Sequence, residues 1–192
     1  MFYYFMPRYE GADLETSKFH PSLKPAVDWL LNVSAQERNL ILTGDVGTGK
    51  TYLIHAYFNW VVRKYKLKVE ENNDGIKYAE IRGIIFTSAK ELVDVIRATW
   101  DRNDDWAYKY IDEIKKCTLL IIDEIGVQYG SESERIELHA ILDERFEWKR
   151  KTIAITNLTD QECEKVIGKR NFSRLYGGAL VVRAQGKDRR FE

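Results

Sequence analysis

Gly44-Asp45-Val46-Gly47-Thr48-Gly49-Lys50-Thr51 follows the apolar run Leu40-Ile41-Leu42 and opens a segment with helical periodicity. It fits G-x-x-x-x-G-K-[ST] at every fixed position. The glycines let the backbone wrap so that successive N–H groups point at phosphate oxygens, and the helix that follows turns its positive dipole end to the same charge. Gly44, Asp45, Val46, Gly47, Thr48, Gly49, Lys50 and Thr51 are therefore read as a nucleotide-binding loop. Lys50 is expected to reach the β- and γ-phosphates and the Thr51 hydroxyl to face Mg²⁺. The strand-loop-helix setting separates the motif from a chance match.

Further along, Thr118-Leu119-Leu120-Ile121-Ile122 is an uninterrupted apolar run that ends in Asp123-Glu124. Such a run reads as a strand buried on both faces of a parallel sheet. Open α/β sheets bind ligands beyond the carboxyl ends of their strands, which is where these two acids fall. Asp123 is the expected Mg²⁺ ligand, and Glu124 the expected general base for an attacking water. Taken alone, two solvated acids at a strand end would explain the pair as well; beside the loop at 44–51 the metal reading is preferred. Asn157 follows the strand Thr152-Ile153-Ala154-Ile155-Thr156 in the same manner and is expected at the γ-phosphate. A turn-forming asparagine is the plainer alternative.

The chain has 192 residues, of which 44% are hydrophobic, enough for one substantial core without disulfides. Lys plus Arg and Asp plus Glu are equal at 30 each, so no net field marks a nucleic-acid or membrane protein. Cys117 and Cys163 lie far apart and read as reduced apolar fillers. No apolar run approaches the roughly 18 residues needed to span a bilayer, and Met1 to Met6 lacks the basic flank of a signal peptide. The expectation is a cytoplasmic protein with no membrane contact.

Between these landmarks, strand and helix signals alternate. Leu53, Ile54, Tyr57, Phe58, Val61 and Val62 recur at helical spacing after the loop. Ser88 with Glu91, Ser131 with Glu134 and Thr159 with Glu162 have capping-box spacing at three further helix starts. Ser22 to Leu31 predicts a first helix, 64–83 a hairpin or loop around Asn72-Asn73-Asp74-Gly75, and Ala179 to Val182 a last strand. The helix after Ser131 is expected to carry Ile136, Ile141, Leu142 and Phe146. Gly168 to Leu175 reads as two arginines flanking a short turn, either a solvated basic loop or one that sends an arginine to a neighbouring subunit's nucleotide. The expected fold is α/β, a P-loop NTPase with a doubly wound, mostly parallel five-stranded sheet.

Leu119 to Ile122 followed by Asp123-Glu124-Ile125-Gly126-Val127-Gln128, Thr156-Asn157, and Gly168-Lys169-Arg170 with Ser173-Arg174-Leu175 together resemble the AAA+ replicative helicase loaders, the DnaC and DnaI type, with the transposition helper ATPase IstB as a relative. The resemblance covers about residues 38–192. It implies ATP and Mg²⁺ as cofactors, head-to-tail homo-oligomers formed on ATP, single-stranded DNA binding, and delivery of a hexameric DnaB-type helicase onto that strand in DNA replication. It implies Arg174 as the arginine finger, Arg170 as a neighbouring interface residue, and a C-terminal lid that is absent or minimal. The expected division is an N-terminal segment at 1–37, an adenine-side linker and helix, and an AAA+ ATPase core at 38–192. Tyr9-Glu10-Gly11-Ala12 is similar to the stretch that packs near adenine in such proteins.

Trp100 to Tyr110 interleaves Trp100, Trp106, Tyr108 and Tyr110 with Arg102 and Lys109, the composition of a stacking surface for single strands. Closure of the hydrophobic core explains the tryptophans equally well, and Asp101, Asp104 and Asp105 weigh against a strong phosphate surface. Lys149-Arg150-Lys151 and the tail with Arg183, Lys187, Arg189 and Arg190 read as solvated basic runs. Two alternatives to an ATP-hydrolysing loader stay open, an IstB-like transposition helper and an adaptor that uses ATP only to order an interface.

Overall fold

In the computed structural model, residues 2–36, 38–100, 105–126 and 131–188 are described. Asp101, Arg102, Asp104, Val127, Gln128, Arg189 and Arg190 lie outside the described residues. Strand β1 (Phe2–Tyr4) opens the chain, and helix α1 (Lys24–Leu31) follows a one-turn 3-10 segment at Pro21–Leu23. Next come β2 (Leu40–Thr43), α2 (Lys50–Lys64), β3 (Val69–Glu71), β4 (Lys77–Glu80), β5 (Ile84–Ser88) and α3 (Ala89–Ala98). The second half runs α4 (Asp105–Lys116), β6 (Leu119–Ile125), α5 (Glu132–Glu147), β7 (Lys151–Thr156), α6 (Asp160–Ile167), α7 (Lys169–Tyr176) and β8 (Leu180–Arg183).

Five strands form a parallel sheet in the order β5-β6-β7-β2-β8. Side chains alternate across it, as the two-residue period of a strand requires. Leu40, Leu42, Leu119, Ile121, Ile153 and Ile155 face α1, α2 and the N-terminal segment. Ile41, Leu120, Ile122 and Ala154 face the opposite layer, with Leu92 and Ile96 of α3, Ile114 of α4, Leu138 and Ile141 of α5, Cys163 of α6 and Leu175 of α7. Helices thus cover both faces, and the apolar strand runs read in the sequence are the buried middle layer. All three capping boxes form, at Ser88, Ser131 and Thr159.

Three features depart from the sequence reading. Residues 64–83 do form a hairpin, but β1 adds to it as a third antiparallel strand, with Tyr3 opposite Ala79 and both buried. The segment expected as a turn between arginines is helix α7; Gly168, at φ 87°, ends α6 and the chain restarts at once, burying Asn171 and Leu175. On α5, Ile136 and Phe146 are exposed, while Leu138, Ile141, Leu142 and the guanidinium of Arg145 fill its inner face.

Arg145 is 1% exposed. Its Nη1 donates to the carbonyls of Ile114 (2.7 Å) and Cys117 (2.9 Å), its Nε to the Thr152 hydroxyl (3.0 Å), and its Nη2 to the Lys151 carbonyl. One side chain therefore closes the C-terminal end of α4 and the start of β7. Replacing it leaves several buried acceptors unpaired, each a loss of roughly 1–3 kcal/mol before relaxation. Arg145→Met, which keeps the apolar volume, should lower unfolding free energy by about 3 kcal/mol. Urea denaturation measures this; a loss below about 1 kcal/mol would show that the carbonyls find other partners.

Candidate functional site

Between β2 and α2 the chain makes the glycine loop. Gly44, Gly47 and Gly49 have φ of 130°, 79° and 92°, values that L side chains rarely adopt. A Cβ on Gly44 would strike the main-chain oxygen of Ala184, and one on Gly47 the carboxylate of Asp188. The loop is thus held from outside by the segment that leaves β8. From inside, Lys50 Nζ donates to the carbonyls of Gly44 (2.6 Å) and Asp45 (2.7 Å), and the Thr48 hydroxyl to that of Asp45 (2.7 Å).

Two strands away, β6 ends in a bulge. Ile122 pairs with Ala154, but the next partners are Ile125 and Thr156, so β6 spends one residue more than β7. A regular strand would send Asp123 and Glu124 to opposite faces. Here Glu124 has φ 58°, and both residues line one cavity. Asp123 is buried: its Oδ2 accepts from the Thr51 hydroxyl at 3.0 Å and its Oδ1 from the Glu124 N–H at 2.7 Å. Burial pushes the Asp123 carboxyl above its usual range, against those two hydrogen bonds. A hydroxyl and a carboxylate, hard oxygens on facing elements, suit Mg²⁺, which keeps most of its shell for water and phosphate.

Strand β7 lies between β6 and β2, and Asn157 just beyond it is exposed at the same cavity. Its neighbours are tied down. The Thr156 hydroxyl donates to the Ile125 carbonyl (2.6 Å) and accepts from the Leu158 N–H (3.0 Å), while the Thr43 hydroxyl donates to the Leu158 carbonyl (2.9 Å). The three strand ends are thereby fixed to one another by threonines.

The cavity, about 830 Å³, is lined by Val46, Gly47, Gly49, Lys50, Thr51, Tyr52, Asp123, Glu124, Asn157 and, from the N-terminal segment, Arg8 and Tyr9. Arg8 and Tyr52 were not singled out in the sequence, where nothing local marks them. Tyr9 stacks on His55 with ring centroids 3.9 Å apart and planes 16° apart, and His55 also meets the Tyr3 hydroxyl at 3.2 Å. The stretch 9–12 therefore packs on the face of α2 one turn beyond Thr51. Burial, with the Arg8 charge second, pushes the His55 imidazole down to about 4.

Arg174 and Arg170 do not line this cavity. Arg174 Nε donates to Asp143 Oδ1 at 2.6 Å, and its guanidinium lies 4.6 Å from the Phe146 ring centroid. With Arg170, Lys169, Ser173 and His139 it borders a separate groove between α5 and α7. Trp100 and Trp106 are 50% and 61% exposed, so they do not close the core. Trp106 stacks on Tyr110 with centroids 5.4 Å apart, and Tyr108 is exposed on the same helix.

A parallel sheet that presents a glycine loop, an Asp-Glu pair and an asparagine at its carboxyl edge, with an arginine helix elsewhere, defines a P-loop NTPase of the AAA+ class. The chain belongs to the family of IstB-like ATP binding proteins, whose family model matches residues 25–175. It is similar to the replicative helicase loader DnaC of Escherichia coli K12, 26% identical over 145 residues, 75% of this chain and 53% of that one. The chain thus spans about half the length of that curated relative. The fold is also that of a crystal structure of the DnaC helicase loader (TM-score 0.72, 20% identity, covering 94% of this chain and 100% of that one). It is likewise that of AMPPCP-bound DnaA from Aquifex aeolicus (TM-score 0.70, 21% identity, 94% and 50%).

Two outcomes follow from this geometry. A left-handed backbone costs an L-residue about 1–2 kcal/mol, partly offset by the extra freedom glycine has when unfolded. Glu124→Gly should therefore stabilise the protein by about 0.5–1 kcal/mol, and Glu124→Val should destabilise it, as read in urea. A Glu124→Gly protein less stable than the parent would show that the bulge is not strained. For His55, a depressed imidazole favours folding above the unfolded value near 6.5 and loses that contribution as pH falls toward about 4. His55→Gln should flatten this part of the stability profile; an unchanged acid slope would exclude His55 as its source.

Proposed function

We propose that the chain is an ATP-hydrolysing, DnaC-like helicase-loader ATPase that assembles head-to-tail and acts on single-stranded DNA in replication. The observation that carries the reading is the meeting of Lys50, Thr51, Asp123, Glu124 and Asn157 in one cavity while Arg174 stands on another face. Glycine-loop N–H groups and Lys50 hold the phosphates. Thr51 and Asp123 would hold Mg²⁺, which would neutralise charge on the phosphate oxygens. Glu124, exposed and brought to the cavity by the bulge in β6, accepts a proton from the attacking water, which Asn157 orients through its amide. Arg174 lies outside its own chain's cavity, which supports action in trans on a neighbour's γ-phosphate. The exposed Trp100, Trp106 and Tyr108 with Lys109 support a sequence-tolerant stacking surface for a single strand.

The family model favours one other reading, a transposition helper of the IstB type, which would act on duplex DNA with a transposase in place of a hexameric helicase. Mixing the protein and ATP with the replicative helicase of its source and measuring co-assembly by mass separates the two. A defined ATP-dependent complex supports the loader; ATP-dependent self-assembly with no helicase complex supports the helper. For the catalytic roles, Lys50→Ala should abolish nucleotide binding, whereas Arg174→Ala should bind ATP nearly as the parent and lose the turnover that rises with protein concentration, by roughly 10³-fold. Glu124→Gln should bind ATP and not turn it over. Unchanged turnover in that variant would favour an ATP-ordered adaptor, and equal loss of binding in the Lys50 and Arg174 variants would exclude action in trans.

A further inference from the structure

Arg8 has no role in the motifs that define this class, yet it shares the cavity with Lys50, Thr51, Asp123, Glu124 and Asn157. Among the described residues, Arg8 and Lys50 are the cations that line it, together with the carboxylates of Asp123 and Glu124. The four formal charges cancel, so a polyphosphate entering with a divalent ion still needs donors. The Lys50 ammonium is directed at the carbonyls of Gly44 and Asp45. Arg8 has no carboxylate within ion-pair distance among the described residues. The arginines at 63, 97 and 174, by contrast, are held by Asp13, Glu134 and Asp143. The Arg8 guanidinium rests 4.7 Å from the Tyr9 ring centroid, and the residue is exposed.

Its base is fixed. Pro7 sets the start of the 3-10 turn Pro7–Tyr9, Tyr9 is buried against His55, and the Asn59 amide donates to the carbonyls of Tyr9 (3.2 Å) and Ala12 (2.8 Å). His55 lies one helical turn beyond Thr51 on α2, and Arg8 lines the same cavity as Thr51, Asp123 and Glu124. A cation on a long side chain, with its base held beside the buried Tyr9 and no carboxylate in ion-pair distance among the described residues, is available to a bound anion. The guanidinium fork matches phosphate oxygens.

We infer that Arg8 is a phosphate-contacting residue that acts in cis on the terminal phosphate of a nucleoside triphosphate held in this chain's own cavity. The inference rests on the nucleotide-binding reading above. It makes the N-terminal segment a discriminator between triphosphate and diphosphate, separate from the action of Arg174 across a subunit boundary.

Isothermal titration of the full chain with Mg²⁺ and ATP or ADP tests it, using the parent, Arg8→Ala, Arg8→Lys and Lys50→Ala. Loss of Arg8 should weaken ATP about tenfold and ADP less than about twofold, the difference a charge-assisted hydrogen bond produces; lysine should restore part of the ATP affinity. Equal weakening for ATP and ADP would mean that Arg8 only supports the fold near the cavity, and no change for either would mean that it rests on Tyr9 alone; each overturns the inference. If the parent binds neither nucleotide, the underlying reading fails and takes this one with it. If the parent binds both and Lys50→Ala does not, only the role of Arg8 is under test. Circular dichroism checks that the Arg8 variants fold, and Arg8→Gln repeats the comparison should the alanine variant not.

Discussion

A carboxylate buried at the edge of a parallel sheet is the constraint around which this molecule is arranged. Asp123 would be costly where it stands without the Thr51 hydroxyl on one oxygen and the Glu124 N–H on the other. The first partner comes from the start of α2, which requires the glycine loop to turn back over the sheet. The second comes at the bulge of β6, where its register with β7 is interrupted. One buried charge thus joins the loop after β2 to the end of β6, across the strand that delivers Asn157. The strand order β6-β7-β2 makes that possible, because it sets three carboxyl ends side by side.

What could be read from the sequence was what local chemistry encodes. The runs at 40–42 and 119–122 read as buried strands of a parallel sheet, and the glycine-lysine loop between strand and helix as a phosphate cradle. The capping boxes at Ser88, Ser131 and Thr159 depend on residues three apart and formed as read. Non-local features were not legible. Nothing in Phe2-Tyr3-Tyr4 says that it pairs with residues 78–80, because the pairing is fixed by a partner more than seventy positions away. The left-handed backbone at Glu124 has no signature, since glutamate is an unusual choice for it. Arg8 came into the cavity by the folding of a segment whose own sequence reads only as proline, arginine and aromatics. The start of α6 at Thr159 was legible, but not Gly168 as the pivot into an immediate second helix.

Charged side chains carry much of the framework outside the site. Glu134 caps α5 through its own N–H and side chain and also accepts from Arg97 of α3 at 2.7 Å, so one buried acid joins two helices. Arg145 does the same for α4 and β7 with carbonyls as partners. The helix that carries Trp106 outward and packs Tyr110 against the core is therefore held from behind by Arg145. On α5 the exposed Ile136 lies beside Arg135 and Arg170, and the exposed Phe146 beside Arg174, which leaves apolar surface next to the arginines.

Gly44 and Gly47 are obliged to be glycine by neighbours of different kinds, and the difference has a genetic meaning. The space a side chain on Gly47 would need is taken by the carboxylate of Asp188, whereas at Gly44 it is taken by the main chain of Ala184. The first obstacle can be removed by a change at position 188; the second cannot be removed by any side-chain change. The phosphate loop and the segment after β8 are in this sense one inherited unit. A smaller side chain at 188 would relieve the steric part of a lesion at Gly47 and leave its left-handed φ of 79° in place, while a lesion at Gly44 meets main chain and has no such relief.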